Sequence, residues 1–177
     1  MMNALVTGAT GFIGRRLVRN LTRRGDKVTC LIRSSSNTAS LRTFPVQFVI
    51  GELGDPASLI RAVADKDYIF HLAGVIQAVH EQTFEAINTE GTRNLVSACL
   101  QSSPGIKRFV FVSSIAAAGP NQTEKPVSES QEARPVSAYG RSKIAAERIV
   151  LEAGTEMPAT ATDWTSRRTP APGRCGP

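Results

Sequence analysis

Apolar residues recur along the chain with two alternating periods, one typical of strands and one typical of helices. Short apolar runs predict strands over residues 3–7, 27–33, 46–50, 68–72 and 108–113. Apolar residues three and four apart predict helices over residues 11–24, 83–101 and 138–152, and a further helix after Asp55-Pro56. Strands that alternate with helices predict an α/β fold, a doubly wound parallel sheet with helices on both faces.

Length and composition fit one globular domain. The chain has 177 residues, of which 41% are hydrophobic and 20% are charged. Its longest apolar runs are too short to span a bilayer, and residues 1–8 resemble a strand rather than a signal peptide. We therefore expect a cytoplasmic protein without membrane partners.

The cysteines and histidines do not form a metal-binding pattern. Cys30 and Cys99 lie in apolar stretches, as small core residues do, and the third cysteine is distant from both. His71 and His80 have no metal-ligand neighbours, and we interpret them as structural residues. We expect no bound metal.

The end of the chain lacks the pattern of the rest. From residue 159 it reads ATATDWTSRRTPAPGRCGP, with three prolines and no apolar period. We therefore divide the chain into a nucleotide-binding domain over residues 1–158 and an irregular tail over residues 159–177. Such an abrupt loss of pattern is typical of a frameshift in a GC-rich gene or of a deliberate truncation.

The formal net charge of +6 is concentrated near the start of the chain. Residues 1–33 contain seven Lys or Arg and one Asp, and five of these arginines lie on the first predicted helix, opposite its apolar stripe. Such a face is either solvated or attracted to the phosphates of nucleic acid. Because no aromatic residues alternate with the arginines to stack on bases, we interpret it as a solvated face and expect no nucleic-acid partner.

The turn after the first predicted strand has the pattern of a dinucleotide phosphate site. Thr7-Gly8-Ala9-Thr10-Gly11-Phe12-Ile13-Gly14 follows a strand and opens a helix, which is the context that this fingerprint requires. Gly8 permits a tight turn, Gly11 allows the backbone to approach a pyrophosphate, and Gly14 allows close packing of helix and strand. The free amides and partial positive charge at the helix N-terminus favour a bound phosphate.

The residue that ends the second predicted strand indicates which nucleotide is bound. NAD-binding proteins have an acidic residue there, which accepts a hydrogen bond from the ribose 2′-hydroxyl. This chain has Arg33 followed by three serines, a basic and hydroxyl-rich group suited to a 2′-phosphate. We therefore expect NADP as cofactor in preference to NAD.

Two further segments carry residue types suited to proton transfer. Tyr139 and Lys143 lie four residues apart on one face of a predicted helix, where a lysine ammonium favours the phenolate form of a tyrosine. Such a tyrosine can exchange a proton with a substrate oxygen. Ser114 follows the fifth predicted strand, at an edge where parallel sheets bind ligands, and its hydroxyl can polarise the same oxygen.

These segments together resemble the extended short-chain dehydrogenase/reductase family. The matching stretches, in order, are TGATGFIG, FHLAG, NTEGTRNL, FVFVSS and YGRSK, and the resemblance covers residues 3–158. It implies a Rossmann fold and the activity of an NAD(P)-dependent epimerase, dehydratase or reductase. The 25 positions from Ser114 to Tyr139 also match the family's spacing.

The resemblance implies a role for each matching residue. Ser114, Tyr139 and Lys143 match the catalytic residues, and Arg33 matches the arginine of NADP-dependent, dihydroflavonol-reductase-like members. Glu52 stands where the family usually has aspartate beside the adenine, which is a departure from its pattern. The residues implied to bind the cofactor are Gly8, Thr10, Gly11, Phe12, Ile13, Gly14, Arg33, Glu52, Leu53, Leu72, Ala73, Gly74, Asn88, Tyr139 and Lys143.

The resemblance leaves the substrate open. The implied reaction is hydride transfer at a carbinol or ketone carbon of a small-molecule substrate, which is a sugar nucleotide, a sterol-like compound or a small carbonyl compound. Ala118 stands where the family often has tyrosine, which favours a reductase-like or sterol-dehydrogenase-like relative over a galactose-type epimerase. The alternative is a non-catalytic NADP-binding sensor or scaffold, although such relatives typically lose the tyrosine or the lysine.

Two expectations concern the whole molecule. Family members usually have roughly twice this length, so we expect that the chain lacks most of the C-terminal substrate-binding part. The helices predicted over residues 83–101 and 138–152 pair between subunits in relatives, and we therefore expect a homodimer.

Overall fold

One sheet of seven strands is the framework of the residues that the computed structural model describes, which are 1–120, 131–162 and 167–168. Its strands are β1 (Asn3–Thr7), β2 (Lys27–Ile32), β3 (Val46–Ile50), β4 (Tyr68–His71), β5 (Arg108–Val112), β6 (Ala159–Thr162) and β7 (Arg167–Arg168). The helices are α1 (Phe12–Arg23), α2 (Pro56–Val63), α3 (Glu81–Phe84), α4 (Gly91–Ser102), α5 (Ile115–Ala118) and α6 (Ala138–Ala153), and a π-helical segment, Glu85–Glu90, joins α3 to α4.

The strand order is β3-β2-β1-β4-β5-β6-β7, and all neighbouring strands are parallel except β6 and β7. The chain proceeds outward from β1 to β3 and then returns to place β4 on the other side of β1. The order therefore reverses between β1 and β4, and doubly wound sheets bind ligands at the carboxyl ends of such strands. This topology confirms the predicted α/β fold, a Rossmann fold.

Each face of the sheet has its own hydrophobic cluster, because successive side chains of a strand point to opposite faces. In β1, Leu5 packs with residues of α2, α4 and α6, whereas Ala4 and Val6 pack with residues of α1. Cys30 and Cys99 are buried in these clusters, and burial raises the pKa of each thiol to about 12. Both cysteines are therefore core residues, as the apolar pattern indicates.

The basic residues of α1 lie on its outer side. Arg15, Arg16 and Arg23 are exposed, while Val18 and Leu21 are buried against the sheet. The arginine face predicted from the sequence is thus a solvent-facing surface of the helix.

The helix predicted over residues 83–101 differs from the structure in its start and in its winding. Helical structure begins at Glu81, and Glu85–Glu90 is π-helical rather than α-helical. Asn88 lies in this segment, is buried, and directs its side-chain amide to the backbone of Val75 and to the hydroxyl of Ser142. The spacing of apolar residues does not distinguish a short π-helical turn from an α-helix, although such turns are frequent at functional sites.

The irregular tail expected from residue 159 begins with a strand instead. Residues Ala159–Thr162 pair in parallel with β5, and Ala159 and Ala161 are buried while the two threonines between them are half-buried. The expectation is therefore wrong for these four residues, because their short alternation of small side chains fits a sheet already covered by α6. Apart from the two residues of β7, the rest of the tail lies outside the described residues.

Candidate active site

A cleft of about 500 Å³ lies at the carboxyl ends of β1, β2 and β4, where the strand order reverses. Nine of the residues predicted to bind the cofactor line it: Gly8, Thr10, Gly11, Arg33, Glu52, Leu53, Leu72, Ala73 and Gly74. Phe12, Ile13, Gly14, Asn88, Tyr139 and Lys143 are not among its lining residues. The cleft therefore brings together residues that are distant in sequence. The predicted residues that do not line it lie within helices or in the π-helical segment.

The first wall of the cleft is the turn between β1 and α1. Gly8 has a φ of +68°, a conformation that favours glycine, and a Cβ there would lie 2.7 Å from the backbone nitrogen of Ala73. The Gly11 amide donates to the Gly8 carbonyl at 3.0 Å, which closes the turn just before α1 begins. The turn thus presents backbone, without side chains at its two cleft-lining glycines, at the N-terminus of a helix.

Gly14 has a packing role within α1. A Cβ at this position would lie 2.2 Å from the Gly8 carbonyl oxygen and 2.8 Å from the Ala9 Cα. The backbone that approaches Gly14 so closely is therefore that of the turn itself. Phe12 is exposed at 64%, with the Arg16 guanidinium 4.9 Å from its ring centroid, and Ile13 is half-buried.

The second wall carries Arg33 immediately after β2. Arg33 is exposed and lines the cleft together with Ser36. The Arg33 amide donates to the Ser36 hydroxyl at 3.0 Å, and the Ser36 amide donates to the Arg33 carbonyl at 2.9 Å. This small turn brings one guanidinium and one hydroxyl to the same end of the cleft, whereas Ser34 and Ser35 are exposed outside it.

The third wall is the segment that follows β4. Leu72, Ala73 and Gly74 lie beside the glycine turn, since β1 pairs with β4 and a Cβ on Gly8 would lie 2.7 Å from the backbone of Leu72 and of Ala73. Asn88 supports this wall from behind, because its Oδ1 accepts from the Val75 amide at 2.8 Å and its Nδ2 donates to the Val75 carbonyl at 3.0 Å. Asn88 therefore positions the wall rather than lining the cleft.

The Ser114 hydroxyl lies at the N-terminus of the short helix α5, directly after β5. Its Oγ accepts a hydrogen bond from the Ala116 amide at 3.2 Å, which caps the helix. Because the oxygen accepts, the hydroxyl proton is directed elsewhere. Ser114 can therefore donate to an acceptor above the carboxyl end of β5.

Tyr139 is held near this point by close packing of α6 on α5. Gly140 makes the approach possible, since a Cβ there would lie 2.3 Å from the Ala116 carbonyl oxygen. The Tyr139 ring is half-buried and lies 6.1 Å, centroid to centroid, from the Phe84 ring of α3. Two helices thus fix the tyrosine next to the segment that carries Ser114.

Lys143 lies one turn further along α6 and is almost fully buried, with 6% exposure. Its ammonium donates to the Val112 carbonyl at 2.8 Å and lies 4.0 Å from the centroid of the Phe111 ring. Burial lowers the pKa of Lys143 to about 8, against the opposing attraction of Glu147. The lysine therefore links α6 to the end of β5, two residues before Ser114.

The model of the NAD dependent epimerase/dehydratase family matches residues 4–162. The chain belongs to this family. It is similar to a putative dihydroflavonol 4-reductase of Synechocystis sp. (strain ATCC 27184 / PCC 6803 / Kazusa), with 36% identity over 157 residues, which are 85% of this chain and 45% of the relative. It is also similar to a ceramide reductase of Caulobacter vibrioides (strain NA1000 / CB15N), with 35% identity over 148 residues, which cover 84% of this chain and 41% of the relative.

A solved structure of the same fold is MoeE5 in complex with UDP-glucuronic acid and NAD. It has 30% sequence identity to this chain and a TM-score of 0.78, and the match covers 90% of this chain and 53% of that one. The chain thus spans about half the length of the proteins that it matches.

The residues of this epimerase/dehydratase family member fit a dinucleotide. Side chains at Gly8 and Gly14 would collide with backbone, so the turn that a pyrophosphate requires is built into the packing. The cleft is lined by this turn, by Arg33 after β2 and by Glu52 and Leu53 after β3. We found no group of three or more His, Cys, Asp or Glu residues in the described residues that could hold a metal ion.

Sequence reasoning missed several residues of the family member's site. Gly51, Gly54, Val75, Ala86 and Ile87 also line the cleft. None of them is distinguished by its residue type, and Ala86 and Ile87 are brought there by the π-helical segment, which the apolar pattern does not reveal. Ser36 stands in the serine run after Arg33, but the sequence does not indicate which of the three hydroxyls turns inward.

Sequence reasoning also missed a pair of buried polar residues beneath α6. The Ser113 hydroxyl binds the Glu147 carboxylate in a buried hydrogen bond between the end of β5 and α6. The sequence does carry a signal for this pair, because Ser113 directly precedes Ser114 and Glu147 follows Lys143 by one helical turn.

No helix in the described part of the chain is long and apolar enough to cross a membrane.

Proposed function

We propose that this chain contains the nucleotide site and the catalytic residues of an NADP-dependent oxidoreductase that acts at a carbinol or ketone carbon. The observation that carries the proposal is the cleft between the glycine turn and Arg33, with Ser114, Tyr139 and Lys143 on the adjoining β5–α5–α6 unit. Membership of the NAD dependent epimerase/dehydratase family supports it.

The preference for NADP rests on Arg33 and Ser36. A guanidinium forms paired hydrogen bonds to phosphate oxygens, and a neighbouring hydroxyl adds a further donor. The ribose 2′-phosphate distinguishes NADP from NAD, and the end of β2 is where doubly wound folds read it. We propose that Gly8, Thr10 and Gly11 bind the pyrophosphate, and that the region around Glu52 and Leu53 holds the adenine.

The catalytic roles follow from the chemistry of three side chains. NADPH, when bound, supplies the hydride for a carbonyl carbon. Tyr139 donates a proton to the carbonyl oxygen as negative charge develops there, and Ser114 donates a hydrogen bond to that oxygen because its own Oγ already accepts from Ala116. Lys143 contributes a positive charge one helical turn from the tyrosine, which favours the deprotonated phenol after the transfer.

The substrate that we propose is a small molecule with a ketone or secondary hydroxyl group. Two matched relatives are named a putative dihydroflavonol 4-reductase and a ceramide reductase, and both names describe reductases. Ala118 also favours a reductase over a galactose-type epimerase. A sugar nucleotide is the alternative, because the solved relative binds UDP-glucuronic acid.

The deciding experiment is a titration of the purified chain with NADPH and, separately, with NADH. We expect saturable binding with NADPH favoured by about tenfold or more, since a charged hydrogen-bond pair contributes roughly 1.5–3 kcal/mol. Arg33→Ala should remove most of this preference and leave NADH binding nearly unchanged. Arg23→Ala, which removes an exposed arginine at the far end of α1, is the matched control.

Each outcome of the titration decides something different. Tighter binding of NADH would overturn the role of Arg33 and leave the family assignment unaffected. Failure to bind either nucleotide would reject a working cofactor site in this chain. Binding of NADPH without any reduction of ketones by the whole protein would favour the non-catalytic sensor or scaffold.

The homodimer and the cytoplasmic location remain predictions. We propose that two copies pair through the outer sides of α4 and α6, and sedimentation velocity of the purified chain measures this directly. A single species with the mass of one chain at micromolar concentration would reject the dimer.

A further inference from the structure

His71 is fully buried at the end of β4 and binds a partner at each ring nitrogen. Its Nδ1 lies 2.7 Å from the Thr7 hydroxyl at the end of β1, and its Nε2 lies 3.0 Å from the Thr92 hydroxyl of α4. Thr7 and Thr92 are likewise fully buried. The histidine therefore connects the end of β1, where the glycine turn begins, to helix α4.

The protons of this network can be assigned from its ends. Thr92 donates to the Asn88 carbonyl at 2.6 Å, so its oxygen has to accept from His71, and His71 carries its proton on Nε2. Burial lowers the pKa of His71 to about 3, with Lys143 adding to the effect, and the ring is therefore neutral. Its Nδ1 is then an acceptor for the Thr7 hydroxyl proton.

The other end of the network is the wall of the cleft. The Thr7 oxygen accepts from the Ala73 amide at 3.1 Å, so all the donors point in one direction, from Ala73 through Thr7, His71 and Thr92 to Asn88. The Asn88 side chain in turn holds both backbone groups of Val75. One line of hydrogen bonds thus runs from the Ala73 amide to the Asn88 backbone, and the Asn88 side chain separately holds Val75, so the cleft-lining segment 73–75 is held at both ends.

We infer that His71 is a positioning residue for the nucleotide site: its neutral, Nε2-protonated ring orients the Thr7 hydroxyl, which holds the Ala73 amide and with it the cleft wall facing Gly8. This inference rests on the proposed nucleotide site. The two hydrogen bonds of His71 differ in what they reach: Nδ1 binds Thr7, which holds the Ala73 amide directly, whereas Nε2 binds Thr92, which reaches only the backbone carbonyl of Asn88.

Two conservative substitutions remove the two hydrogen bonds of His71 one at a time. In His71→Asn the side-chain oxygen takes the place of Nδ1 and can still accept from Thr7, while the link to Thr92 is lost. In His71→Gln the amide nitrogen takes the place of Nε2 and can still donate to Thr92, while the link to Thr7 is lost. The Asn side chain is one methylene shorter than that of Gln and leaves the larger cavity at this fully buried position. A purely structural role therefore predicts that His71→Asn is the more damaging of the two variants.

Binding of NADPH by the full chain, corrected for the folded fraction, is the first measurement. We expect His71→Gln to weaken NADPH binding by about tenfold and His71→Asn by about threefold or less, which corresponds to loss or retention of one hydrogen bond to the wall. Equal weakening by the two variants, or a stronger effect of His71→Asn, would overturn the inference.

Nuclear magnetic resonance provides a test that does not need the nucleotide. The nitrogen spectrum of His71 should show a protonated Nε2 and an unprotonated Nδ1, and hydrogen exchange of the Ala73 amide should accelerate in His71→Gln but not in His71→Asn. Protonation at Nδ1, or equal exchange of Ala73 in both variants, would contradict the inference. Wild-type chain that binds no nucleotide but shows these spectra would reject the proposed function and retain the role of His71 in the wall.

Discussion

Gly11 and Gly14 lie three residues apart in one motif, yet their surroundings differ. A Cβ on Gly14 would lie 2.2 Å from the Gly8 carbonyl oxygen, which is backbone and cannot move aside, whereas a Cβ on Gly11 would lie 3.2 Å from the same atom. We expect Gly14→Ala to lower the free energy of unfolding by about 2–4 kcal/mol, because overpacking against backbone is costly. Chemical denaturation measures this loss.

Gly11→Ala should have a small effect on stability and a large effect on binding. The added methyl group costs about 1 kcal/mol or less in packing but stands where Gly11 lines the cleft. We therefore expect a folded variant with at least roughly tenfold weaker NADPH binding. Equal losses of stability in the two variants would show that the two glycines do not have separate roles.

Lys143 gives a prediction about pH. Burial is the main cause that lowers its pKa, from 10.5 to about 8, so the folded chain releases this proton at lower pH than the unfolded chain does. The free energy of unfolding therefore rises with pH between these two values, and the charged lysine destabilises the fold below pH 8. We expect Lys143→Met to stabilise the chain at pH 7 by about 1–3 kcal/mol and to gain progressively less towards pH 10.

The control for Lys143 is Lys27→Met, at an exposed lysine of β2. Its effect on the free energy of unfolding should be small, because the side chain is exposed. A Lys143→Met chain that is less stable at pH 7 would show that the attraction of Glu147 and the hydrogen bond to Val112 exceed the cost of burial. Such a result would contradict the prediction.

The residues of the site divide into those that sequence reasoning could find and those that it could not. The positions of Gly8, Gly11 and Arg33 follow from motif and strand context, and the structure places all three in the cleft. The support of the wall by His71 and Asn88 could not be predicted, because it depends on distances between elements that are remote in sequence. The resemblance implies that Asn88 binds the cofactor, whereas the structure shows its side chain bound to Val75 and Ser142.

At the scale of elements, periodicity predicts β1 to β5, α1, α2 and α6 to within a few residues. The elements that it missed are short or locally rewound: the π-helical segment Glu85–Glu90, α5, β6 and β7. A strand of four small residues has little apolar area, so its stability comes from pairing with β5 rather than from its own side chains. Sequence pattern is weakest where the tertiary partner decides the local structure.

This view of β6 leads to a test with shortened chains. A chain that ends at residue 158 lacks β6, which removes one of the two strands that pair with β5 and exposes the backbone next to Phe109 and Phe111. We expect it to unfold at lower denaturant concentration than the complete chain and to aggregate through its open edge. A chain that ends at residue 168 retains β6 and β7 and is the matched control. Equal stability of the two shortened chains would contradict a structural role for β6.

At the scale of the whole molecule, the cleft lies at the carboxyl ends of a sheet that has one hydrophobic cluster on each face. Its lining residues lie at or after the carboxyl ends of β1, β2, β3 and β4 or in the π-helical segment, so a nucleotide bound there would contact several elements that are joined through one sheet. A ligand that binds the folded chain and not the unfolded chain raises the free energy of unfolding of the domain. This increase grows with the logarithm of the ligand concentration.

We expect the free energy of unfolding to rise by about 1.4 kcal/mol for each tenfold increase of NADPH above its dissociation constant. NADH should give the same slope displaced to higher concentration, because Arg33 changes the affinity and not the number of sites. Thermal and denaturant unfolding of wild type and Arg33→Ala, each over a series of nucleotide concentrations, measure both slopes. A lower slope for NADPH than for NADH in the wild-type chain would mean that NADPH also binds unfolded chains through its phosphate charge, and the affinity difference would then not report the cleft.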